Sequence, residues 1–355
     1  MGRKISQLPK SSLPTRSILA AFTRALQIAE EFEGATSPNP AVGCVLLDAQ
    51  GNQLAIAAHE KAGGLHAEAA AIEQCRLAGT LEHIYAVVVT LEPCNHTGRT
   101  PPCTNAILGT SAREVWIGTK DPNPDVSGNG AEELAANGLR VGFLQDMDDP
   151  DANVLASAVR RLIAPFAKHM RTGLPWVTVK QALNSAHSMI PEPGKKTFTS
   201  PSSLKLAHRL RKRAGAVLTG SGTILADKPE FTVRHVPDFE GKHRHLVIMD
   251  RRKRVPDTYV QAAEQAGFKV MIETSLDEAF ARLGKAGVQE VLVEAGPTLL
   301  ESVLATDYWD EHVTITQGAG TNKDDLISIC YRTDLTQTLA GQTLAGREDN
   351  VLRDC

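Results

Sequence analysis

The sequence predicts an α/β protein with two domains. Its length of 355 residues suits two domains of ordinary size. Short β-branched runs alternate with segments of helical spacing along most of the chain, which is typical of sheets covered by helices. An acidic patch at 146–151, followed by a helix that ends near Arg171, marks the joint between the domains. We therefore expect domains at 1–146 and 173–355, with a linker region at 147–172.

The first half opens with a helix and then alternates strands and helices. Apolar residues recur at helical spacing from 18 to 32, and Gly34 ends that helix. A turn at Gly51 and Asn52 separates the first pair of strands. The other expected elements are, in order, strands at 42–47 and 54–58, a helix with His66 in its first turn, a strand at 84–90, a helix opening near 93–94, a strand at 115–119, a helix between 128–130 and Gly138, and a strand near 141.

The second half repeats the alternation and predicts a parallel or mixed sheet with helices on both faces. Ligands of such sheets bind at the carboxyl ends of the strands, where the glycine turns at 220–223 and 296–298 are expected to lie. Turns of this kind are also common without any ligand. The expected strands are 176–180, 216–218, 246–249, 269–272, 291–293 and 313–316, and the expected helices are 202–212, 276–284 and 298–305.

Four residues of the first half fit the chemistry of a zinc-dependent deaminase. A catalytic zinc site keeps three protein ligands and a water whose pKa falls to about 7. The proposed ligands are His66, Cys94 and Cys103. Glu68 follows the histidine closely, so it can carry protons as general acid and base without being a ligand. The helix that follows places His66 and Glu68 where the helix dipole favours anions.

Two simpler interpretations of these residues stay open. Each cysteine alone would more often be a small buried hydrophobe, and His66 a hydrogen-bonded helix residue. A structural zinc site would need a fourth ligand, for which His96 is available. That interpretation leaves Glu68 unexplained, so we expect a catalytic site.

The composition fits an enzyme that acts on a small molecule. The formal net charge is -3 and aromatic residues make up 5% of the chain, so a basic, aromatic surface for nucleic acid is not expected. No signal peptide or long apolar span is visible, so we expect a cytoplasmic protein that is not inserted in a membrane. The cysteines lack the spacing of a disulfide framework. Those expected to be free thiols without a role are Cys44, Cys75, Cys330 and Cys355.

Longer motifs match a known family. Those of the first half lie at 38–44, 59–68, 90–103 and 121–130, and those of the second at 208–211, 220–223, 226–234 and 294–299. Over nearly the whole chain, the sequence resembles the RibD family of riboflavin biosynthesis, in which a pyrimidine deaminase is fused to a pyrimidine reductase. The gap between Cys94 and Cys103 supports this family, because cytidine and tRNA-adenosine deaminases usually have two residues between these cysteines and this chain has eight.

The resemblance implies a fold and two reactions. The fold is a cytidine-deaminase-like α/β/α domain followed by a dihydrofolate-reductase-like α/β domain. A diamino-hydroxy-phosphoribosylaminopyrimidine would be deaminated on its ring, and NADPH would then reduce the ribosyl group to ribityl. Zn²⁺ and NADPH are the implied cofactors, and NADPH depends on the resemblance alone because no dinucleotide fingerprint is present. Deaminase folds often pair, so a homo-oligomer is compatible with this interpretation.

The resemblance also implies binding residues. Those for the deaminase substrate are Asn39, His59, His96 and Arg99. An amide and imidazoles can hydrogen-bond the edges of a ring, and arginine pairs with phosphate. Those implied for the reductase are the substrate-binding Thr223, Asp227, Arg234 and Glu294, and the cofactor-binding Gly220, Gly222 and Gly296. Each residue of the deaminase set, taken alone, is equally compatible with a turn cap or a surface charge.

Three segments of the second half depart from the family pattern. The family's Ser-Leu-Asp-Gly reads Asn-Ser-Ala-His at 184–187, and its Trp-Ile-Thr reads Thr-Phe-Thr at 197–199. Its Ala-Arg reads Ser-Leu at 203–204, which removes a cation from the expected phosphate site. Loss of one charge-assisted phosphate contact costs about 1.5–3 kcal/mol in affinity.

Three functional hypotheses follow. The first is a bifunctional deaminase and reductase. The second is a paralogue that keeps the deaminase, while its reductase domain is inactive or acts on a different substrate. The third, a non-catalytic zinc scaffold or a nucleic-acid deaminase, has the least support.

Overall fold

The computed structural model of the chain describes residues 13–96, 101–123, 129–191, 197–318 and 324–332. The chain forms two compact units that divide between Arg171 and Thr172. Among the described residues, each unit has its own β-sheet, with 5 strands in the first and 7 in the second.

The first part of the chain alternates helices and strands, as its sequence predicted. Short 3₁₀ turns lie at Leu81–His83 and Leu144–Asp146, between regular elements. The described helices and strands are, in chain order, α1 (Thr15–Glu30), β1 (Gly43–Leu47), β2 (Gln53–Ala58), α2 (Ala67–Ala78), β3 (Ala86–Leu91), α3 (Cys103–Leu108), β4 (Glu114–Thr119), α4 (Asn129–Ala136), β5 (Arg140–Phe143), α5 (Pro150–Leu162) and α6 (Ala164–Thr172).

The first sheet has the order β2-β1-β3-β4-β5. β1 pairs antiparallel with β2 and β3, whereas β3, β4 and β5 are parallel. Every residue of β3 is buried, as expected for a central strand covered on both faces. α1 and α5 supply the core on one face, and α2, α3 and α4 supply it on the other. The first unit is therefore a three-layer α/β/α structure.

One expected helix of the first unit is displaced. The prediction of a helix opening near 93–94 is wrong, because the residues from Pro93 to Asn95 are irregular and α3 begins at Cys103. Pro102 precedes that helix in a non-helical conformation, with φ -55 and ψ 140. Proline has no N–H to donate, and it is tolerated where a helix starts because the first N–H groups have no partner inside the helix. Cys94 and Cys103 consequently lie on different elements.

The expected linker region, 147–172, contains two helices, α5 and α6. The side chain of Asp149 caps α5 by accepting a hydrogen bond from the backbone N–H of Asp151 at 2.9 Å. Ala156 and Val159 are buried in the same core cluster as α1. The first helix of this region therefore contributes to the core of the first unit.

The second part of the chain contains three elements that the sequence did not predict: α8, α9 and β12. α9 has one buried residue, Ala263, so its sequence lacks an apolar stripe. The described helices and strands are β6 (Trp176–Leu183), α7 (Pro201–Arg213), β7 (Ala216–Gly220), α8 (Ser221–Asp227), β8 (Arg244–Met249), α9 (Asp257–Gln265), β9 (Phe268–Glu273), α10 (Leu276–Lys285), β10 (Glu290–Val293), α11 (Pro297–Leu304), β11 (Glu311–Thr316) and β12 (Leu326–Tyr331).

The second sheet is mixed and has the order β12-β11-β6-β10-β7-β8-β9. β12 pairs antiparallel with β11, and the other pairs are parallel. Alternate residues of β10 face opposite cores: Val291 and Val293 pack with α10 and α11, whereas Leu292 packs with α7. The expected sheet with helices on both faces is therefore present. The carboxyl ends of the parallel strands lie along one edge, as in other parallel sheets.

The cysteines expected to be free thiols are only partly so. Cys44 and Cys75 are free and buried, as predicted. Cys330 on β12 is disulfide-bonded, so the prediction of a free thiol there is wrong. Spacing along the chain does not reveal which thiols meet in a fold. Cys355 lies outside the described residues.

In the part of the chain that the structure describes, no helix has the length and apolar character that crossing a membrane requires.

Replacement of Phe22 tests the packing of α1. Phe22 is 0% exposed in the core that α1 shares with α5, so Phe22→Ala should lower the free energy of unfolding by about 3–5 kcal/mol. Leu77→Ala is the control, because Leu77 is 73% exposed and its truncation should cost about 0.5 kcal/mol or less. Urea denaturation followed by circular dichroism measures both. Equal losses in the two variants would contradict this core assignment.

Candidate active site

Three potential metal ligands converge in the first unit. His66 is the residue before α2, Cys94 follows β3, and Cys103 begins α3. The Nδ1 atom of His66 lies 3.3 Å from the Sγ atom of Cys103 and 3.6 Å from that of Cys94. All three ligand atoms lie within 4.8 Å of one another. Among the described residues, this is the one group of histidine, cysteine and carboxylate side chains with such a geometry.

The pKa values of the Cys94 and Cys103 thiols are shifted in opposite directions. The pKa of Cys94 is lowered to about 4, first because Cys103 hydrogen-bonds its sulfur and then because His66 does so. The same contact raises the pKa of Cys103. Cys94 therefore loses its proton easily. Loss of a proton from Cys103 as well would place two negative sulfurs side by side, which requires a cation to balance them. Two thiolates and an imidazole in this arrangement fit the ligand preferences of zinc.

Glu68 lies beside these sulfurs, in the first turn of α2. Its side chain is 3% exposed, and burial raises the pKa of its carboxyl group, although the nearby His66 and a hydrogen bond with Cys103 act in the opposite direction. A carboxyl group so placed can hold a proton or release it close to the three ligand atoms. The geometry brings together the four residues that the sequence singled out.

Two of the predicted substrate-binding residues contact each other. Asn39 Nδ2 lies 3.2 Å from His59 Nε2, and His59 Nδ1 lies 2.9 Å from the carbonyl oxygen of Leu65. Because a carbonyl can only accept, His59 donates from Nδ1 and accepts at Nε2 from Asn39. The ring of His59 lies 5.2 Å from that of His66, so this pair borders the three ligand atoms. Burial lowers the pKa of His59.

Of the other two residues of that set, the structure describes only His96. His96 is exposed, just after the segment that carries Cys94. Arg99 lies outside the described residues. Their roles stay predictions.

In the second unit, a buried carboxylate lies between two cations. Glu294 directly follows β10, and its carboxylate receives two hydrogen bonds from Arg211 of α7, at 2.5 and 2.9 Å. The Nζ atom of Lys180 of β6 lies 3.4 Å from Oε2 of the same carboxylate. Burial alone would raise the pKa of Glu294, but Lys180 and Arg211 lower it to about 2. The sequence analysis assigned no role to Lys180 or Arg211, because their contact with Glu294 depends on long-range pairing.

The two glycine turns of the second unit meet. The backbone N–H of Gly296 donates to the hydroxyl oxygen of Thr223 at 2.9 Å. The space beside Gly222 is open, because a Cβ atom built there would meet nothing within 4 Å. Gly220 is more confined, since its Cβ would lie 3.3 Å from the side chain of Leu299. The turns form a small-residue surface at the carboxyl ends of β7 and β10.

The remaining predicted reductase residues lie further out. Asp227 ends α8 and is exposed. The guanidinium group of Arg234 pairs with Glu230 and is 49% exposed. The backbone N–H of Arg234 donates to Nδ1 of the buried His208 at 2.9 Å. Burial lowers the pKa of His208 to about 4, so this nitrogen remains an acceptor near neutral pH.

The first divergent segment forms a compact turn. Asn184 Oδ1 accepts hydrogen bonds from the backbone N–H groups of Ala186 and Ser188, both at 2.9 Å. His187 adopts a left-handed conformation with φ 56. This turn lies directly after the carboxyl end of β6, which ends at Leu183.

Comparison with known proteins identifies the family. The model of the cytidine and deoxycytidylate deaminase zinc-binding region matches residues 16–119, and that of the RibD C-terminal domain matches residues 184–317. Riboflavin biosynthesis protein RibD of Aquifex aeolicus is 33% identical over 312 residues, which cover 81% of this chain and 83% of that protein. The chain belongs to the RibD family. Its Escherichia coli relative is 30% identical over 324 residues, covering 82% of this chain and 84% of that protein.

Solved structures agree with this assignment. Acinetobacter baumannii RibD has a TM-score of 0.72 and 28% identity, covering 87% of this chain and 88% of that one. A Thermotoga maritima diaminohydroxyphosphoribosylaminopyrimidine deaminase/5-amino-6-(5-phosphoribosylamino)uracil reductase has a TM-score of 0.72 and 29% identity, with 87% and 89% covered. The expected fold class, a cytidine-deaminase-like domain followed by a dihydrofolate-reductase-like domain, is confirmed.

A pH series on Glu294→Gln tests the buried carboxylate. Its folded pKa of about 2 lies below the ordinary 4.5, so the unfolded chain binds more protons between these values. The contribution of this carboxylate, about 3 kcal/mol, is complete above pH 4.5 and is lost as the pH falls toward 2. The difference in unfolding free energy between wild type and variant should therefore shrink on acidification.

Urea denaturation at a series of pH values from about 5 to about 2.5 measures this difference. Asp227→Asn, at an exposed position, is the control and should change stability by about 0.5 kcal/mol or less. A difference for Glu294→Gln that does not vary with pH would contradict the assigned ion pairs.

Proposed function

We propose that this chain is a bifunctional enzyme of riboflavin biosynthesis. Its first domain would deaminate a diamino-hydroxy-phosphoribosylaminopyrimidine in a zinc-dependent hydrolysis, and its second would reduce the ribosyl group of the product to ribityl with NADPH. The observation that carries the proposal is the convergence of His66, Cys94 and Cys103 within 4.8 Å, beside a buried Glu68. Membership of the RibD family supports both reactions.

The donor set fits zinc, and His66, Cys94 and Cys103 are the residues that would hold it. Three protein ligands leave a coordination position for water. Zinc, when bound, lowers the pKa of a water molecule to about 7 and so provides a nucleophile at neutral pH. Two thiolates offset the charge of a divalent cation, which keeps that nucleophile reactive.

Glu68 is the proposed proton carrier. Its carboxylate takes a proton from the attacking water and delivers a proton to the amino group that leaves. The water oxygen bonds to the ring carbon, the carbon–nitrogen bond breaks, ammonia departs, and a carbonyl group remains on the ring. The buried position of Glu68, 3% exposed, keeps bulk water from competing for this proton.

Other side chains of the first unit would orient the pyrimidine. Asn39 and His59 are already coupled by their hydrogen bond, so they can present a fixed pattern of donors and acceptors to a ring edge. His96 would add a further hydrogen bond, and Arg99 would pair with the phosphate group. These assignments follow the family resemblance, and His59 supports them because its ring lies 5.2 Å from that of the proposed ligand His66.

The second unit would bind the deaminated product and NADPH. Lys180 and Arg211 hold Glu294 in its charged form, which can accept hydrogen bonds from ribosyl hydroxyls. Thr223 accepts from Gly296, so its own hydroxyl hydrogen is available for a ligand. The open space beside Gly222 would admit the cofactor close to the backbone, and NADPH, when bound, supplies the hydride. Asp227 and Arg234 would complete the substrate contacts.

A second candidate function is a paralogue that keeps only the deaminase reaction, or whose second domain acts on another substrate. The observation that favours it is the turn built around Asn184, where the family pattern has an aspartate and a glycine. A cation is also absent at 203–204, where the buried Ser203 and the half-buried Leu204 lie. Lys205 is exposed on the same helix, but lysine lacks the bidentate geometry of arginine.

Glu68→Ala tests the proton carrier. The variant should retain stoichiometric zinc, because Glu68 is not a proposed ligand, while turnover in the deamination should fall by about 10²–10⁴-fold. Metal analysis and release of ammonia measure the two properties. Glu73→Ala is the control, because the side chain of Glu73 lies on the same helix and is 42% exposed. A Glu68→Ala variant with both zinc and full turnover would rule out this role.

Mass spectrometry of reaction products separates the two candidate functions. Zinc-loaded protein is incubated with the diaminopyrimidine phosphoribosyl substrate, with and without NADPH. We expect loss of the amino group in both samples and addition of two hydrogens only with NADPH. Loss of the amino group alone in both samples would favour the paralogue. No change in either sample would overturn the proposed deaminase.

A further inference from the structure

Glu92, a buried carboxylate outside the ligand trio, connects the segment that carries Cys94 to two other segments. Glu92 follows β3, lies two residues before Cys94 in the sequence, and is 3% exposed. Its Oε1 atom accepts a hydrogen bond from the backbone N–H of Ala131 in α4 at 3.0 Å. Its Oε2 atom accepts from the backbone N–H of Asp121 at 3.2 Å. One side chain thus ties the Cys94 segment to α4 and to the segment after β4.

A close backbone approach holds the same segment against α4. A Cβ atom at Gly130 would lie 1.9 Å from the carbonyl oxygen of Pro93, so α4 can approach this closely only because position 130 is glycine. On the other side, the carbonyl oxygen of Cys94 accepts from the N–H of Thr104 at 3.2 Å, and its sulfur accepts from the N–H of Cys103 at 3.4 Å. Cys94 therefore contacts α3 directly, while the two residues before it contact α4.

The segment from Glu92 to Asn95 has no regular structure of its own. A loop of this kind depends on side-chain and tertiary contacts to fix its backbone. The ligand atoms of a zinc site must be placed within a few tenths of an ångström, about ±0.2 Å. The contacts of Glu92 are thus of the type that such a site requires from its surroundings.

We propose that Glu92 is a positioning residue for the metal ligand Cys94. By accepting the two backbone N–H groups, its carboxylate fixes the start of the loop and keeps the Cys94 sulfur beside His66 and Cys103. The inference rests on the zinc site of the proposed function and deepens it. It assigns Glu92 no contact with substrate and no part in proton transfer.

A matched control distinguishes positioning of a ligand from a general contribution to stability. Glu114 is a second buried carboxylate of the same sheet, also 3% exposed, and it accepts a hydrogen bond from Nε1 of Trp116 at 3.0 Å. It begins β4 and lies opposite Ala86, the first residue of β3, whereas Glu92 follows the last. The two carboxylates therefore share burial and chemistry but lie at opposite ends of the strand pair.

The experiment compares Glu92→Gln and Glu114→Gln in the full chain. An amide keeps one acceptor oxygen and turns an NH₂ group toward the other donor, so Glu92→Gln loses the hydrogen bond to Ala131 or the one to Asp121. The zinc dissociation constant, measured by competition with a chromogenic chelator, should rise about 10–100-fold for Glu92→Gln and stay unchanged for Glu114→Gln. Denaturation midpoints of the zinc-free proteins report general stability.

Three outcomes would overturn the inference. The first is wild-type zinc affinity in Glu92→Gln, and the second is an equal loss of affinity in both variants. Both outcomes leave the proposed deaminase intact, provided that the wild-type protein binds zinc. The third is absence of zinc binding by the wild-type protein, which would overturn the proposed function as well.

A second variant keeps the test decisive if Glu92→Gln does not fold. Gly130→Ala would force α4 away from Pro93 and so withdraw the Ala131 N–H that Glu92 accepts, which should weaken zinc binding in the same direction. Gly284→Ala is its control, because a Cβ there would also lie 1.9 Å from a backbone oxygen, that of Gly173, in the second unit. Unchanged zinc affinity in Gly130→Ala would overturn the inference.

Discussion

A buried charge must be balanced where it lies, and both candidate sites depend on this requirement. In the second unit the protein supplies the balance itself, since Lys180 and Arg211 flank the single carboxylate of Glu294. That cluster carries one positive charge in excess, which suits an anionic ligand. In the first unit the two sulfurs beside His66 cannot both lose their protons without an added cation. Under the proposed function, a metal would complete the first site and an anionic substrate the second.

Much of the architecture could be predicted because its signals are local. The run of β-branched residues at 84–90 marks a central strand, and the structure has β3 there, buried throughout. His66 and Glu68 are separated by one residue, so a single helix start fixes both side chains. The long gap between Cys94 and Cys103 distinguishes the family, and this gap can be recognised without knowing the fold. Patterns of this length are encoded by neighbouring residues alone.

The features that sequence reasoning missed depend on contacts between distant residues. Arg211 and Glu294 are 83 positions apart, and they meet only because β10 lies beside β6 and β7. Glu92 reaches its partners over 39 and 29 positions. The start of α3 was misplaced because a cysteine after a proline resembles a helix start at either Cys94 or Cys103. The ion pair between Arg234 and Glu230 also lay outside the sequence prediction, which named Arg234 only as a substrate-binding residue.

The packing of α5 against α1 has a practical consequence for separating the two domains. A deaminase fragment that stopped at 146 would lack Ala156, Val159 and the rest of α5, which belong to the core cluster of α1. One face of its sheet would keep α1 but lose α5, and the apolar surface so exposed would favour aggregation. A fragment that ends at Arg171 would retain that layer. The folded unit thus extends through two helices, α5 and α6, beyond the last strand of its sheet.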